Sequence, residues 1–106
     1  MPDMIDPYQK DRMEPGVEYC LIWWDGDLNS ATATLYSRDG DTSRDRYGTR
    51  SLPAMRRQVQ RDGFRFIGQR SHKEGASYYY ERRPGQQAPT ALWDRLIQLV
   101  MGLFRR

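Results

Sequence analysis

Few side chains in this sequence have the chemistry for catalysis or metal binding. His72 is the single histidine and Cys20 the single cysteine among the 106 residues. His72 lies in a polar run between two aromatic segments, without the oriented partner and pocket that general-base catalysis requires, so we expect an exposed loop residue. Cys20 sits among bulky residues, and neither sequence neighbour is charged, which predicts a buried, inert thiol. One cysteine also excludes an intrachain disulfide and a thiol-based metal site within one chain.

An aspartate-rich stretch is the remaining candidate for metal binding. Asp39, Asp41 and Asp45 are spaced somewhat like the ligands of a calcium loop, but such a loop needs glycine at its sixth position and glutamate at its twelfth. Arg44 and Arg50 occupy those two positions. The stretch is therefore interpreted as turn-forming. We predict a protein without enzymatic activity, cofactor or metal.

The distribution of apolar residues divides the chain into four parts. Its length allows one domain of modest size. Residues 1–16 contain three prolines and no hydrophobic period, and they lack the pattern of a secretory signal, so they are interpreted as a flexible arm. The single cysteine favours a reducing compartment, so we expect a cytoplasmic protein. Residues 17–84 form the predicted domain, residues 85–89 a linker, and residues 90–106 an amphipathic helix.

Within residues 17–84, alternating and helical periodicities predict a small α+β fold. Residues 17–24 and 31–37 read as a hairpin of two strands, and the first is apolar on both faces, which is typical of a strand inside a sheet. A long polar connection, residues 38–50, leads to a helix over residues 52–62, capped by Ser51 and ended by Gly63. Strands over residues 64–70 and 76–83 complete a four-stranded, mainly antiparallel sheet with one packed helix.

The second half of this domain carries a family resemblance. The run Asp62-Gly63-Phe64-Arg65-Phe66-Ile67, a polar loop, and then Tyr78-Tyr79-Tyr80-Glu81-Arg82-Arg83-Pro84 resembles a small bacterial domain-of-unknown-function family catalogued as number 4177. With Glu18-Tyr19 in the opening strand, the resemblance covers residues 17–84. The chain departs from that pattern by an insertion between the first strand and the helix and by its C-terminal extension. The resemblance implies a fold and supplies no catalytic residues.

Charge is distributed unevenly along the chain. Residues 1–30 carry a net charge of −5, residues 38–70 of +5 and residues 71–106 of +3, and fifteen of the seventeen basic residues are arginine. Arginine suits phosphate and carboxylate partners, but the arginines are interspersed with aspartates and form no run, which favours compositional bias as the explanation. A nucleic-acid surface would combine phosphate contacts with an aromatic stacking platform. Its candidate residues are Arg56, Arg57, Arg61, Arg65, Arg70 and Tyr79.

The predicted C-terminal helix has an apolar face about 200° wide. It is too short and too charged to cross a bilayer, which takes about 20 apolar residues. The helix could pack on its own sheet, bind a protein partner or second copy, or lie in a membrane surface, which would make the protein peripheral. Its candidate contact residues are Trp93, Leu96, Ile97, Val100, Leu103 and Phe104.

Two functions remain open from the sequence. The first is a noncatalytic protein-interaction or adaptor module that uses the C-terminal amphipathic helix and the aromatic sheet. The alternative is a nucleic-acid-binding protein that uses the arginine-rich helix and strand surface.

Overall fold

A five-stranded antiparallel sheet organises residues 4–84, the part of the chain that the computed structural model describes. The elements are the 3-10 turn Lys10–Arg12, the strands β1 (Glu18–Trp24), β2 (Thr32–Ser37) and β3 (Ser43–Arg44), the helix α1 (Leu52–Arg61), and the strands β4 (Arg65–Ser71) and β5 (Ala76–Arg82). The strand order is β3-β2-β1-β5-β4. The predicted α+β class is confirmed, and β1 lies inside the sheet as its two apolar faces indicate.

The strand count is a correction to the sequence prediction of four. The additional strand β3 lies within the polar connection and pairs with β2 through Leu35 opposite Ser43 and Thr34 opposite Arg44. An isolated bridge between Ala31 and Arg50 holds the far end of the same connection. A strand of two exposed polar residues has no hydrophobic alternation, so periodicity could not reveal it.

The helix α1 covers one face of the sheet, which we call the helix face. Ser51 accepts a hydrogen bond from the backbone N–H of Ala54 at 3.3 Å, as expected of an N-cap, and Gly63 has the predicted left-handed backbone with φ of 92°. Met55 and Val59 are fully buried against the sheet, whereas Leu52 is partly buried at the edge of the core. The helix face of the sheet supplies the other core side chains, among them Cys20, Ile22 and Tyr80.

The N-terminal segment, residues 4–16, lies against the opposite face of the sheet. Its Ile5 and Met13 are buried in a second apolar cluster with Tyr19 and Tyr36, and the Tyr36 hydroxyl donates to the Ile5 carbonyl at 2.5 Å. This packing differs from the flexible arm that the sequence suggests for these residues. Two isolated apolar side chains among prolines and charges show no period, yet they suffice to cover two tyrosines of the sheet. The predicted linker 85–89 and helix 90–106 lie outside the described residues.

Candidate functional site

The strand arginines predicted to contact nucleic acid are engaged in contacts within the domain. On β4, Arg65 forms an ion pair with Glu81, with 2.6 Å between Nη2 and Oε1. Arg70 pairs with Asp6 of the N-terminal segment at 3.5 Å and lies over the ring of Tyr79. These guanidinium groups therefore already have carboxylate or aromatic partners.

Tyr79 and Arg56 are also held inside the fold. Tyr79 is buried, and its hydroxyl donates to the Asp6 carboxylate at 2.6 Å. Burial, followed by this hydrogen bond, raises the pKa of Tyr79 to about 12. Arg56 donates through Nε to the Tyr80 hydroxyl at 2.9 Å, and its guanidinium lies 4.6 Å from the ring centroid of Tyr78. Tyr79 is thus unavailable as a platform on which a base could stack.

Arg57 and Arg61 differ from the other four candidates. Both are exposed on the outer face of α1, one helical turn apart, and within residues 4–84 neither has a hydrogen bond or an ion pair. Of the six predicted residues, the structure thus leaves two neighbouring cations on α1, and the aromatic residue of the set, Tyr79, is buried.

Glu81 shows why the charged residues of β4 and β5 stabilise the fold. Its side chain is 2% exposed, and its Oε1 accepts from Arg65 at 2.6 Å and from Arg83 at 3.0 Å. Burial by itself would raise the pKa of Glu81, but the hydrogen bonds from Arg83 and Arg65 outweigh it, so the pKa lies below its usual value. Glu81 is therefore an ionised structural carboxylate. Cys20 is likewise structural, because burial raises the pKa of its thiol to about 12.

An aromatic area remains open on the face that the N-terminal segment partly covers. The indole of Trp23 on β1 is 49% exposed and stacks on the imidazole of His72, with 4.3 Å between ring centroids. A ring nitrogen of His72 is hydrogen-bonded to the Ser77 hydroxyl. The strand register places Thr32 beside Trp23. Leu21 lies two residues before Trp23 on β1 and therefore on the same face of the sheet. We call Leu21, Trp23, Thr32 and His72 the Trp23 surface.

Two hairpin loops position this surface. The β4–β5 loop and the β1–β2 loop pack so closely that a Cβ on Gly75 would lie 1.9 Å from the Trp24 carbonyl oxygen, and one on Gly26 would lie 2.3 Å from the Glu74 carbonyl oxygen. Gly26 also has φ of 96°. Glycine at both positions therefore lets the loop that carries His72 approach the end of β1. The sequence places His72 correctly in an exposed loop, but only the β1–β5 register shows that it meets Trp23.

Other kinds of site have few candidates in this part of the chain. Among residues 4–84, no group of three or more His, Cys, Asp or Glu side chains is arranged to hold a metal ion. Within the same residues, no helix has the length and apolar character needed to cross a membrane. The predicted contact residues of the C-terminal helix fall outside the described residues, so their involvement stays a prediction; they are Trp93, Leu96, Ile97, Val100, Leu103 and Phe104.

Comparison with known proteins found no matching family model, no matching curated protein and no matching solved structure. The resemblance to the domain-of-unknown-function family number 4177 therefore stays a prediction.

Proposed function

We propose that this protein is a noncatalytic interaction module that binds a protein partner through the Trp23 surface. The observation that carries the proposal is the half-exposed indole of Trp23 on a central strand of the sheet. Large apolar side chains on central strands are normally covered, and exposed aromatic residues bring much apolar area to protein interfaces. Tryptophan is also among the residues that most often dominate binding energy at such interfaces.

The contacts of Trp23 support this proposal because they hold the side chain in one place. His72 stacks on one side of the indole, and the hydrogen bond to Ser77 orients His72 in turn. Binding would then immobilise little additional side-chain freedom, which lowers the entropic cost of forming a complex. The polar atoms of Thr32 and His72 at its border resemble the polar rim that surrounds the apolar centre of an interface.

The predicted C-terminal helix would provide a second contact in the same module. Its wide apolar face is a property of residues 90–106 in the sequence, and such a face needs a covering partner. The arginine surface is the weaker basis for a function, because Arg65, Arg70 and Arg56 are occupied by Glu81, Asp6 and aromatic rings.

The proposal is tested by comparing variants in a reconstituted complex. Proteins captured from a lysate of the source organism are purified, and their affinity is measured for the wild type, for Trp23→Thr and for Phe66→Thr. Phe66 is a matched control, since it is 40% exposed and lies on the helix face. Threonine keeps the preference for strand at both positions.

We expect Trp23→Thr to weaken binding at least about tenfold, as for a residue at the centre of an interface, and Phe66→Thr to change it less than about threefold. A chain truncated after Gly85 separates the contribution of the C-terminal helix. Partners that bind Trp23→Thr and the wild type equally, with melting curves showing that both are folded, would refute the Trp23 surface.

A further inference from the structure

A polar cleft of about 280 Å³ opens on the helix face, where α1 ends above the sheet. Seven side chains line it: Glu18, Leu35, Ser43, Arg46, Tyr47, Asp62 and Arg82. It lies on the opposite side of the sheet from the Trp23 surface and shares no residue with it. Its volume is just below the range typical of sites for small organic ligands.

Arg82 forms a fixed wall of this cleft. Its Nη1 donates to the Asp62 carbonyl and its Nη2 to the Glu18 carboxylate, both at 2.6 Å, while the guanidinium lies 4.4 Å from the ring centroid of Phe64. Tyr47 closes the adjoining wall by donating its hydroxyl to the Asp62 carboxylate. The donors of Arg82 and Tyr47 are thus directed at protein acceptors, and the wall is ordered before any ligand arrives.

Two carboxylates of the lining, those of Glu18 and Asp62, favour a cation. The lining holds two carboxylates and two guanidinium groups, and one of these guanidinium groups, that of Arg82, is already paired with Glu18. Glu18 binds Arg82 through Oε2, whereas its Oε1 accepts no hydrogen bond within the described part of the chain. This oxygen can accept a hydrogen bond from an ammonium group.

Two exposed residues of the lining, Arg46 and Ser43, favour an anion. The backbone N–H of Arg46 donates to the Ala33 carbonyl at 3.2 Å, which anchors the residue, but its guanidinium has no hydrogen bond or ion pair among residues 4–84. The Ser43 hydroxyl is likewise without a partner there. A guanidinium and a hydroxyl are suitable donors for a carboxylate. Leu35, which also lines the cleft, is partly buried and supplies apolar area.

From this charge pattern we infer that the cleft binds a free α-amino acid with an apolar side chain. The ammonium group pairs with Glu18, the carboxylate with Arg46 and Ser43, and the side chain contacts Leu35 and the ring of Tyr47. A ligand with only one of the two charges leaves either the Glu18 or the Arg46 contact unmade. Binding involves no covalent step.

The experiment uses the full chain and three matched probes: L-leucine, 3-methylbutylamine, which lacks the carboxylate, and 4-methylpentanoate, which lacks the amine. Binding is followed by chemical-shift perturbation of the backbone amides in NMR titrations. For L-leucine we expect a dissociation constant on the order of 1 mM, as a ligand of so few atoms allows, and at least about tenfold weaker binding for each analogue.

Arg46→Ala tests the assigned contact, and Arg44→Ala is its control. Arg44 belongs to the same short strand β3 as Ser43, but alternation directs its side chain to the other face of the sheet. We expect Arg46→Ala to weaken L-leucine binding about tenfold without affecting 3-methylbutylamine, and Arg44→Ala to change neither.

Absence of shifts around the cleft at 20 mM L-leucine would overturn the inference, as would equal affinity of Arg46→Ala and the wild type. Either result leaves the protein-binding proposal unaffected, because Trp23 lies on the opposite face. Conversely, if Trp23→Thr still bound the protein partner, the protein-binding proposal would fail, but the L-leucine titration would still test the cleft.

Discussion

The substitution Met13→Ala measures whether the N-terminal segment is part of the fold. Met13 is 2% exposed and packs in the cluster that contains Ile5, Tyr19 and Tyr36. Truncation removes three heavy atoms, which costs about 2 kcal/mol in lost transfer free energy, and the remaining cavity adds to this. We therefore expect the free energy of unfolding to fall by about 2–4 kcal/mol.

The control is Tyr8→Ala in the same segment. Tyr8 is 82% exposed, and its hydroxyl makes one hydrogen bond to Asp6 at 3.3 Å. Its loss should cost no more than about 0.5 kcal/mol, as for an ordinary surface position. Both variants are compared with the wild type by urea unfolding, followed by circular dichroism and tryptophan fluorescence. A flexible arm would make the two substitutions equally harmless, so equal midpoints for Met13→Ala and Tyr8→Ala would refute the packing argument.

Three further predictions concern charge and association. Because the folded-state pKa of Glu81 is lowered, its contribution to stability should be complete above the usual pKa of a glutamate and be lost as the pH falls through the folded-state pKa. Glu81→Gln should therefore destabilise the protein at pH 7 and flatten the acid side of the pH dependence of stability, measured by urea unfolding. If the protein binds nucleic acid, gel shifts at low salt should detect a complex. Its affinity should fall steeply as the salt concentration rises, and also in the double variant Arg57→Ala plus Arg61→Ala. The absence of a complex at micromolar protein would refute this alternative. If the predicted C-terminal helix mediates association, the double variant Leu96→Glu plus Val100→Glu should no longer associate with itself or with anionic vesicles. Sedimentation with and without anionic vesicles measures both kinds of association. A wild type that sediments like this variant would contradict the prediction.

The elements with strong local signals were predictable from the sequence. Ser51 caps α1 and Gly63 ends it as its residue type requires, and the alternation around Cys20 and Tyr80 correctly placed β1 and β5. These features depend on a few consecutive residues, so a short stretch of sequence is enough to predict them. The boundaries of the predicted strands differ from the observed ones by one residue.

Features that depend on contacts distant in sequence were not predictable. Ser43 joins the sheet through its backbone, and Met13 is buried because it packs in one cluster with Tyr19 and Tyr36. The stacking of His72 on Trp23 follows from a register between strands that lie more than fifty residues apart. None of these contacts leaves a period or a motif in the sequence.

The uneven charge distribution that suggested a polyanionic partner has an explanation within the domain. Within residues 4–84, ion pairs connect the acidic N-terminal part to later arginines: Asp6 with Arg70, Glu14 with Arg83 and Glu18 with Arg82. The hydrogen-bonded residues of these pairs are 64, 69 and 64 positions apart in the chain.

Segments of opposite charge therefore meet across the sheet. An exposed ion pair contributes little to stability, but each of these pairs disfavours a shifted placement of the N-terminal segment. The net charge of a sequence segment cannot distinguish arginines that form ion pairs within the domain from arginines that form a surface for binding phosphate groups. The distinction depends on which guanidinium groups keep a free donor after folding. Within residues 4–84, Arg65 and Arg70 on the strands have carboxylate partners, and of the predicted set Arg57 and Arg61 on α1 are left without a hydrogen bond or an ion pair. The search for a partner is better directed at exposed apolar area, and Trp23 is the side chain on the central strand that presents it.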